Sequence, residues 1–136
     1  MIDKEIIKIA SNTENHGVLD KHTHFSKLKN AICGDEMKIY LIIKNDKIEN
    51  FKYECESCIY CQASVSLLSR SVKNKSIEKV KNFAQQTNSC FDKSTNSFDK
   101  EWKEFDKIMK KNNISRKECL LLPINAMLDA LSKKSL

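Results

Sequence analysis

An α+β fold, a small antiparallel three-stranded sheet packed against a group of helices, is predicted for this chain of 136 residues from three observations. Residues 37–54 read as two strands, with apolar and polar side chains alternating around the tetrapeptide Lys44-Asn45-Asp46-Lys47, whose Asn and Asp tolerate the positive φ of a tight hairpin turn. After Cys58 the apolar period changes from two to that of a helix, and it stays helical to the C-terminus. The polar, alternating stretch before the hairpin, residues 15–30, supplies an edge strand beside it. At about 40% apolar, the chain suffices for a single domain, residues 1–136, burying its own core, and is too short for two.

In order, Ile2, Ile6, Ile7 and Ile9 among charges predict a short amphipathic helix over residues 2–14. The first strand spans Met37–Ile43 and the second Ile48–Glu54, where Phe51, Tyr53 and Cys55 alternate with Lys52, Glu54 and Glu56. Ile59, Ala63, Leu67 and Leu68 predict a helix from Tyr60 to Lys73, and Ser76 opens another through Ile77, Val80, Phe83 and Ala84. Residues 85–96 are polar and read as a loop, followed by a helix over residues 97–110 with Phe98, Trp102, Phe105, Ile108 and Met109 on one face, a core stripe. Ser115 with Glu118 three residues on forms a capping-box pattern for a last helix, in which Pro123 predicts a kink or a restart. Glycine occurs only at 17 and 34, so each is expected where a positive φ or a close backbone approach excludes a side chain.

The formal charge of +6 invites nucleic acid as a partner, but only Arg70 and Arg116 are arginines, the lysines mix with Asp and Glu, and no basic run is interleaved with aromatics. A solvated lysine surface explains the charge better, so no nucleic-acid partner is expected. Residues 1–10 carry Asp3, Lys4, Glu5 and Lys8, unlike a secretion leader, and no apolar run reaches membrane-span length. Cytoplasmic location without membrane attachment is expected. Six cysteines in a reducing compartment then point to metal binding, sulfur chemistry or burial before a disulfide framework.

Because the hairpin strands are antiparallel, Cys33 and Asp35, just before the first, must lie near Cys58, just after the second, despite a sequence separation of 25 between the two cysteines. Cys119 falls in the first turns of the last helix, where the positive helix end and Arg116 favour thiolate over thiol. Three thiolates and one carboxylate make a four-coordinate set that suits zinc or iron, with Asp35 as the exchangeable member. Cys61, three residues after Cys58, is an alternative ligand or sulfur relay, or else a small buried residue at a helix start; Cys55 and Cys90 read as inert. His16, His22 and His24 read as exposed strand and loop residues, with no third ligand near in sequence.

Four strings then bear on the family: NHGVLD at 15–20, CGDEMKIYLIIKNDKIENFKYE from 33, SCIYCQASVSLLSRSVKNKSI at 57–77 and RKECLLLPINAMLDAL at 116–131. They resemble the U-type iron–sulfur cluster assembly scaffolds (the IscU, SufU and NifU group), over roughly residues 14–131. The long separation of Cys58 from Cys119 and the Arg-x-x-Cys form resemble the SufU branch. The resemblance implies the SufE/NifU-like scaffold fold; a bound zinc, or iron in a [2Fe-2S] cluster, on Cys33, Asp35, Cys58 and Cys119; and persulfide sulfur from a cysteine desulfurase accepted at Cys33 or Cys119, with Arg116 steadying the last thiolate. It also implies delivery to a downstream iron–sulfur carrier or apo-protein, no turnover of a free substrate, and a monomer or weak dimer. Departures from the family are Glu118 where IscU-type proteins have His, the missing Leu-Pro-Pro-Val-Lys motif, Cys55 and Ser57 in place of glycines, and Cys61. Two other functions suit the cysteines. Cys55, Cys58 and Cys61 could hold a ferredoxin-type cluster in an electron carrier, although the fourth Cys followed by Pro is absent, and a structural zinc module would tolerate loss of Asp35.

Overall fold

The computed structural model describes residues 3–31, 34–92 and 98–133. Its elements are α1 (Lys4–Ala10), β1 (His24–Lys29), β2 (Glu36–Lys44), β3 (Lys47–Glu56), α2 (Ile59–Ser71), α3 (Ile77–Ser89), three 3₁₀ segments (Cys90–Asp92, Lys100–Lys107, Lys111–Arg116) and α4 (Lys117–Ser132). The sheet has the order β1-β2-β3, antiparallel throughout.

The hairpin turn is the expected one. Lys44 pairs with Lys47, so the loop is Asn45-Asp46, with φ of 53° and 59°, the two left-handed residues that a type I′ turn requires. The register slips between Ile42 and Ile43, leaving Glu49 as an extra residue that twists the strand. The outer edge of β3 is covered: Gly17 N–H donates to Tyr53 O (2.8 Å), Tyr53 N–H to Asn15 O (3.2 Å), and Ile48 N–H to Lys75 O (3.0 Å). Gly17, at φ 142°, and Gly34, at φ 74°, both hold positive φ, as their scarcity suggests.

One face of the sheet, with Met37, Ile39, Leu41, Phe51 and Tyr53, packs on the helices. Helix α2 lies at the centre, and its serines make this possible, because each buried hydroxyl donates to a carbonyl: Ser64 to Leu120 O (2.7 Å), Ser66 to Asn12 O (2.6 Å) and Ser69 to Ser66 O (2.7 Å). Ser26 ties β1 to α4 in the same way, through Ala126 O (2.6 Å). Among the described residues, no helix is long and apolar enough to cross a membrane.

Three expectations are corrected, and one of the two alternatives at Pro123 is removed. Residues 85–92 are not loop: α3 continues to Ser89 and passes into 3₁₀, because Thr87 Oγ1 and Asn88 Nδ2 return to Ala84 O (2.7 and 3.0 Å) while Cys90 and Phe91 bury against the core. Residues 93–97 lie outside the described residues. The aromatic segment is a 3₁₀ helix over Lys100–Lys107, in which Trp102, Phe105 and then Ile108 recur every three residues, the 3₁₀ period. Its side chains are core as expected, with Trp102 stacked on Phe83 (centroids 4.1 Å, planes 10° apart). The Ser115 capping box does not form: the preceding 3₁₀ segment runs to Arg116, which takes the N-cap position of α4 without a side-chain cap bond. Nor does the chain restart at Pro123. α4 runs through it, and the missing N–H withdraws the donor that would have reached the Cys119 carbonyl.

Candidate metal centre

Three elements deliver three ligand atoms to one point. Asn30 N–H donates to Asp35 O (2.7 Å) and Gly34 N–H to Asn30 O (2.7 Å), so Asp35 is set before β2 begins. Glu36 pairs with Glu56 across the hairpin, which brings the end of β3, and Cys58 just past it, beside Asp35. Cys58 is the N-cap of α2 in extended conformation (φ −70°, ψ 167°), and its side chain makes no capping bond. Its N–H donates to Asp35 Oδ1 at 3.2 Å. Cys119 comes in as the third residue of α4, 5% exposed. One carboxylate oxygen of Asp35 and the sulfurs of Cys58 and Cys119 all lie within 4.8 Å of one another.

The donor set suits a thiophilic metal. Asp35 is only 6% exposed, and while Oδ1 takes the Cys58 N–H, its buried Oδ2 has no hydrogen-bond partner among the described residues. A buried carboxylate oxygen left without a donor costs free energy unless a cation meets it. Two soft sulfurs and one hard oxygen are a zinc or iron set short of one ligand, and Cys33, the expected fourth, lies outside the described residues. Both thiols stand at the starts of α-helices, Cys58 at the N-cap of α2 and Cys119 at the third residue of α4, towards the positive end of each helix dipole.

Among the described residues, no histidine belongs to this group. His16 is exposed and packs edge-on against Tyr53, as expected, whereas His22, whose Nδ1 meets Leu19 O at 2.7 Å, and His24, which opens β1, are strand and loop residues that are half-buried rather than exposed. Cys61 does not join the group either. It is fully buried, and burial drives its thiol far above the ordinary range, with the charges of Cys55, Asp35 and Cys58 adding to the shift and the Ser57 hydroxyl opposing it. Cys55, also raised chiefly by burial, is likewise close enough to Ser57 for the hydroxyl to lower it, although Ser57 Oγ makes no well-aligned hydrogen bond among the described residues. Cys90 is buried and donates to Thr87 O at 3.2 Å. The C-x-x-C-x-x-C run therefore does not gather into one ligand set: of its three cysteines only Cys58 faces the other ligand atoms.

Arg116 stands three residues before Cys119, and its guanidinium lies over the Tyr60 ring, 5.2 Å from the centroid. This stack joins the start of α2, which carries Cys58, to the start of α4, which carries Cys119. Sequence reasoning passed over Tyr60. The available signal was an aromatic two residues beyond a candidate ligand on a helix start, with one of only two arginines beside the other such ligand.

The family model described as the NifU-like N-terminal domain matches residues 1–92. The chain belongs to the NifU-like N-terminal domain family. Cys33, Asp35 and Cys58 fall inside the matched stretch and Cys119 outside it. An iron–sulfur cluster assembly scaffold protein IscU of Thermotoga maritima is 26% identical over 135 residues, covering 99% of this chain and 95% of the relative. The zinc-dependent sulfurtransferase SufU of Bacillus subtilis is 33% identical over 67 residues, 49% of this chain and 45% of that protein. Among solved structures, a NifU-like N-terminal protein from Brucella abortus superposes with a TM-score of 0.88 at 19% identity, covering 96% of this chain and 91% of its own. A scaffold for the SUF system from Fervidobacterium islandicum gives 0.83 at 23% identity, with 96% of both chains covered. The NifU-like fold expected from the sequence is thus the observed one.

Proposed function

We propose that this NifU-family chain is an iron–sulfur cluster assembly scaffold and zinc-containing sulfur relay, which accepts persulfide sulfur from a cysteine desulfurase on ligand thiols and passes it to a cluster or to a downstream carrier or apo-protein. The observation that carries this reading is the meeting of Asp35, Cys58 and Cys119, from positions 84 residues apart at the extremes, within 4.8 Å. Asp35, Cys58 and Cys119, with Cys33, would hold the metal. When bound, it would keep the thiols deprotonated and select among incoming sulfur and iron species. Cys33 and Cys119 are the candidate sulfur acceptors, and Arg116 the candidate steadying charge. A thiolate of the group attacks the outer sulfur of a donor persulfide, takes that sulfur, and releases the donor thiol, so no free substrate is turned over.

The family match and the names of the Thermotoga and Bacillus relatives support this function. A ferredoxin-type carrier is disfavoured because Cys55 and Cys61 stand outside the ligand group. The test is to measure bound metal, then mix the protein with a cysteine desulfurase, cysteine and iron. Stimulated sulfide release or growth of cluster absorbance supports the scaffold. A redox-active cluster as isolated, indifferent to the desulfurase, supports the electron carrier. One tight zinc with neither effect leaves a structural module.

A further inference from the structure

The spacing Cys-x-x-Cys occurs twice, at 55–58 and at 58–61, and the fold treats the two differently. Cys55 lies on β3, which ends at Glu56, and Cys58, two residues beyond that end, is also extended (φ −70°, ψ 167°); three residues of extended chain span roughly 10 Å. Cys58 and Cys61 are instead the N-cap and third residue of α2, and Gln62 N–H donates to Cys58 O at 3.0 Å, so this first turn is closed. Helix geometry puts their Cα atoms about 5 Å apart. That lies inside the window a disulfide needs, whereas the first pair lies outside it. The two thiols also differ in access: Cys58 is half-buried and shares a site with Asp35 and Cys119, while Cys61 behind it is fully buried and takes no part in that site. An outer thiol at a helix start with a shielded partner one turn inside is the layout of dithiol exchange pairs.

We propose that Cys61 is a resolving thiol: sulfane sulfur carried on Cys58 is expelled as sulfide when Cys61 displaces it, leaving a Cys58–Cys61 disulfide. This rests on the sulfur-acceptor reading above. Sulfur landing on Cys119 reaches Cys58 by thiol–persulfide exchange, since the two sulfurs lie within 4.8 Å. The reaction balances: Cys61–SH and Cys58–S–S⁻ give Cys58–S–S–Cys61 and HS⁻. The new bond joins the two cysteine sulfurs, and the bond to the sulfane sulfur breaks. That sulfur gains two electrons, the two cysteines supply them, and the Cys61 proton leaves on the sulfide. A dithiol reductant then resets the pair. The chain thereby generates sulfide beside its own metal-binding residues, without a separate reductant in the sulfide-forming step.

The full chain is loaded with sulfur from a cysteine desulfurase and limiting cysteine, and in parallel from inorganic polysulfide, with no added reductant. Released sulfide and intact mass are then read. The parent protein is expected to release about one sulfide per persulfide formed and to end two hydrogens lighter, with the disulfide mapping to Cys58–Cys61. Cys61→Ser and Cys61→Ala are expected to stay one sulfur atom heavier and to release sulfide only after a dithiol is added, while Cys55→Ser behaves as the parent. Equal reductant-free sulfide release by the parent and both Cys61 variants overturns the proposal, as does a disulfide that includes Cys55. Added sulfur that stays on the parent protein overturns this inference alone. Absence of added sulfur on the parent and the variants overturns the sulfur-acceptor reading together with it.

Discussion

Asp35→Asn separates a metal ligand from a structural carboxylate, because the amide keeps one function and loses the other. Its carbonyl oxygen can still accept the Cys58 N–H that Asp35 Oδ1 now takes at 3.2 Å. Its NH₂ replaces Oδ2, the buried oxygen with no hydrogen-bond partner among the described residues, and cannot coordinate. Substitutions merely adjacent to metal ligands weaken binding about 10–100-fold, so loss of a donor is placed at the ~100-fold end or beyond. Since binding stabilises the native state by RT ln(1 + [M]/Kd), a ~100-fold weaker Kd removes about 2.7 kcal/mol of metal-induced stabilisation. At roughly 3 °C per kcal/mol for a chain of this size, that is a Tm shift smaller by about 8 °C. The metal-free variant should not lose stability, because the amide keeps the Cys58 N–H acceptor and replaces only a buried oxygen that has no hydrogen-bond partner among the described residues. Asp35→Ala differs: it also leaves the Cys58 N–H without its acceptor, at a cost of about 1.5–3 kcal/mol in the metal-free protein. The assay is zinc competition against a chromogenic chelator, paired with thermal melts with and without zinc. If Asp35→Asn binds zinc as tightly as the parent and keeps the full zinc-induced Tm shift, Asp35 is a structural residue and the ligand set must be drawn without it.

Three further outcomes follow from particular contacts. The Arg116–Tyr60 stack, 5.2 Å from guanidinium to ring centroid, should give a coupling of about 0.5–1 kcal/mol in a denaturation double-mutant cycle with Tyr60→Leu and Arg116→Leu. Tyr60→Phe should retain most of it; a coupling of zero removes the stack as a tie between the two helix starts. Phe83→Ala, which empties a fully buried site where Trp102, Phe98 and Phe105 meet, should cost about 3–5 kcal/mol in denaturant unfolding. Burial first, and for Tyr40 also the hydrogen bond to Glu54, push the phenols of Tyr40 and Tyr53 up to about 12. Unfolded tyrosine loses its proton near pH ~10, so between ~10 and ~12 the folded state holds more protons and stability falls as pH rises. Phenolate absorbance should show two late-titrating tyrosines, and Glu54→Gln should bring one of them down.

The sequence by itself determined the hairpin, its turn and one end of the site, because these depend on interactions local along the chain. Asn45 and Asp46 accept positive φ, period-two alternation sets the register, and antiparallel pairing then obliges Asp35 to meet Cys58. Only the tertiary structure decided which distant sulfur joins the group. Cys119 lies 61 residues beyond Cys58, and what brings it in is the packing of α4 against α2, through bonds such as Ser64 to Leu120 O. The same packing overrode three local signals: Ser115 lost its cap to a 3₁₀ turn, Pro123 was carried inside a helix, and polar residues after Gln85 stayed helical by bonding back to Ala84. It also decided between two cysteine pairs of identical spacing. Chain spacing fixes a distance only once the conformation is known, and one pair runs off the end of a strand while the other closes a helical turn.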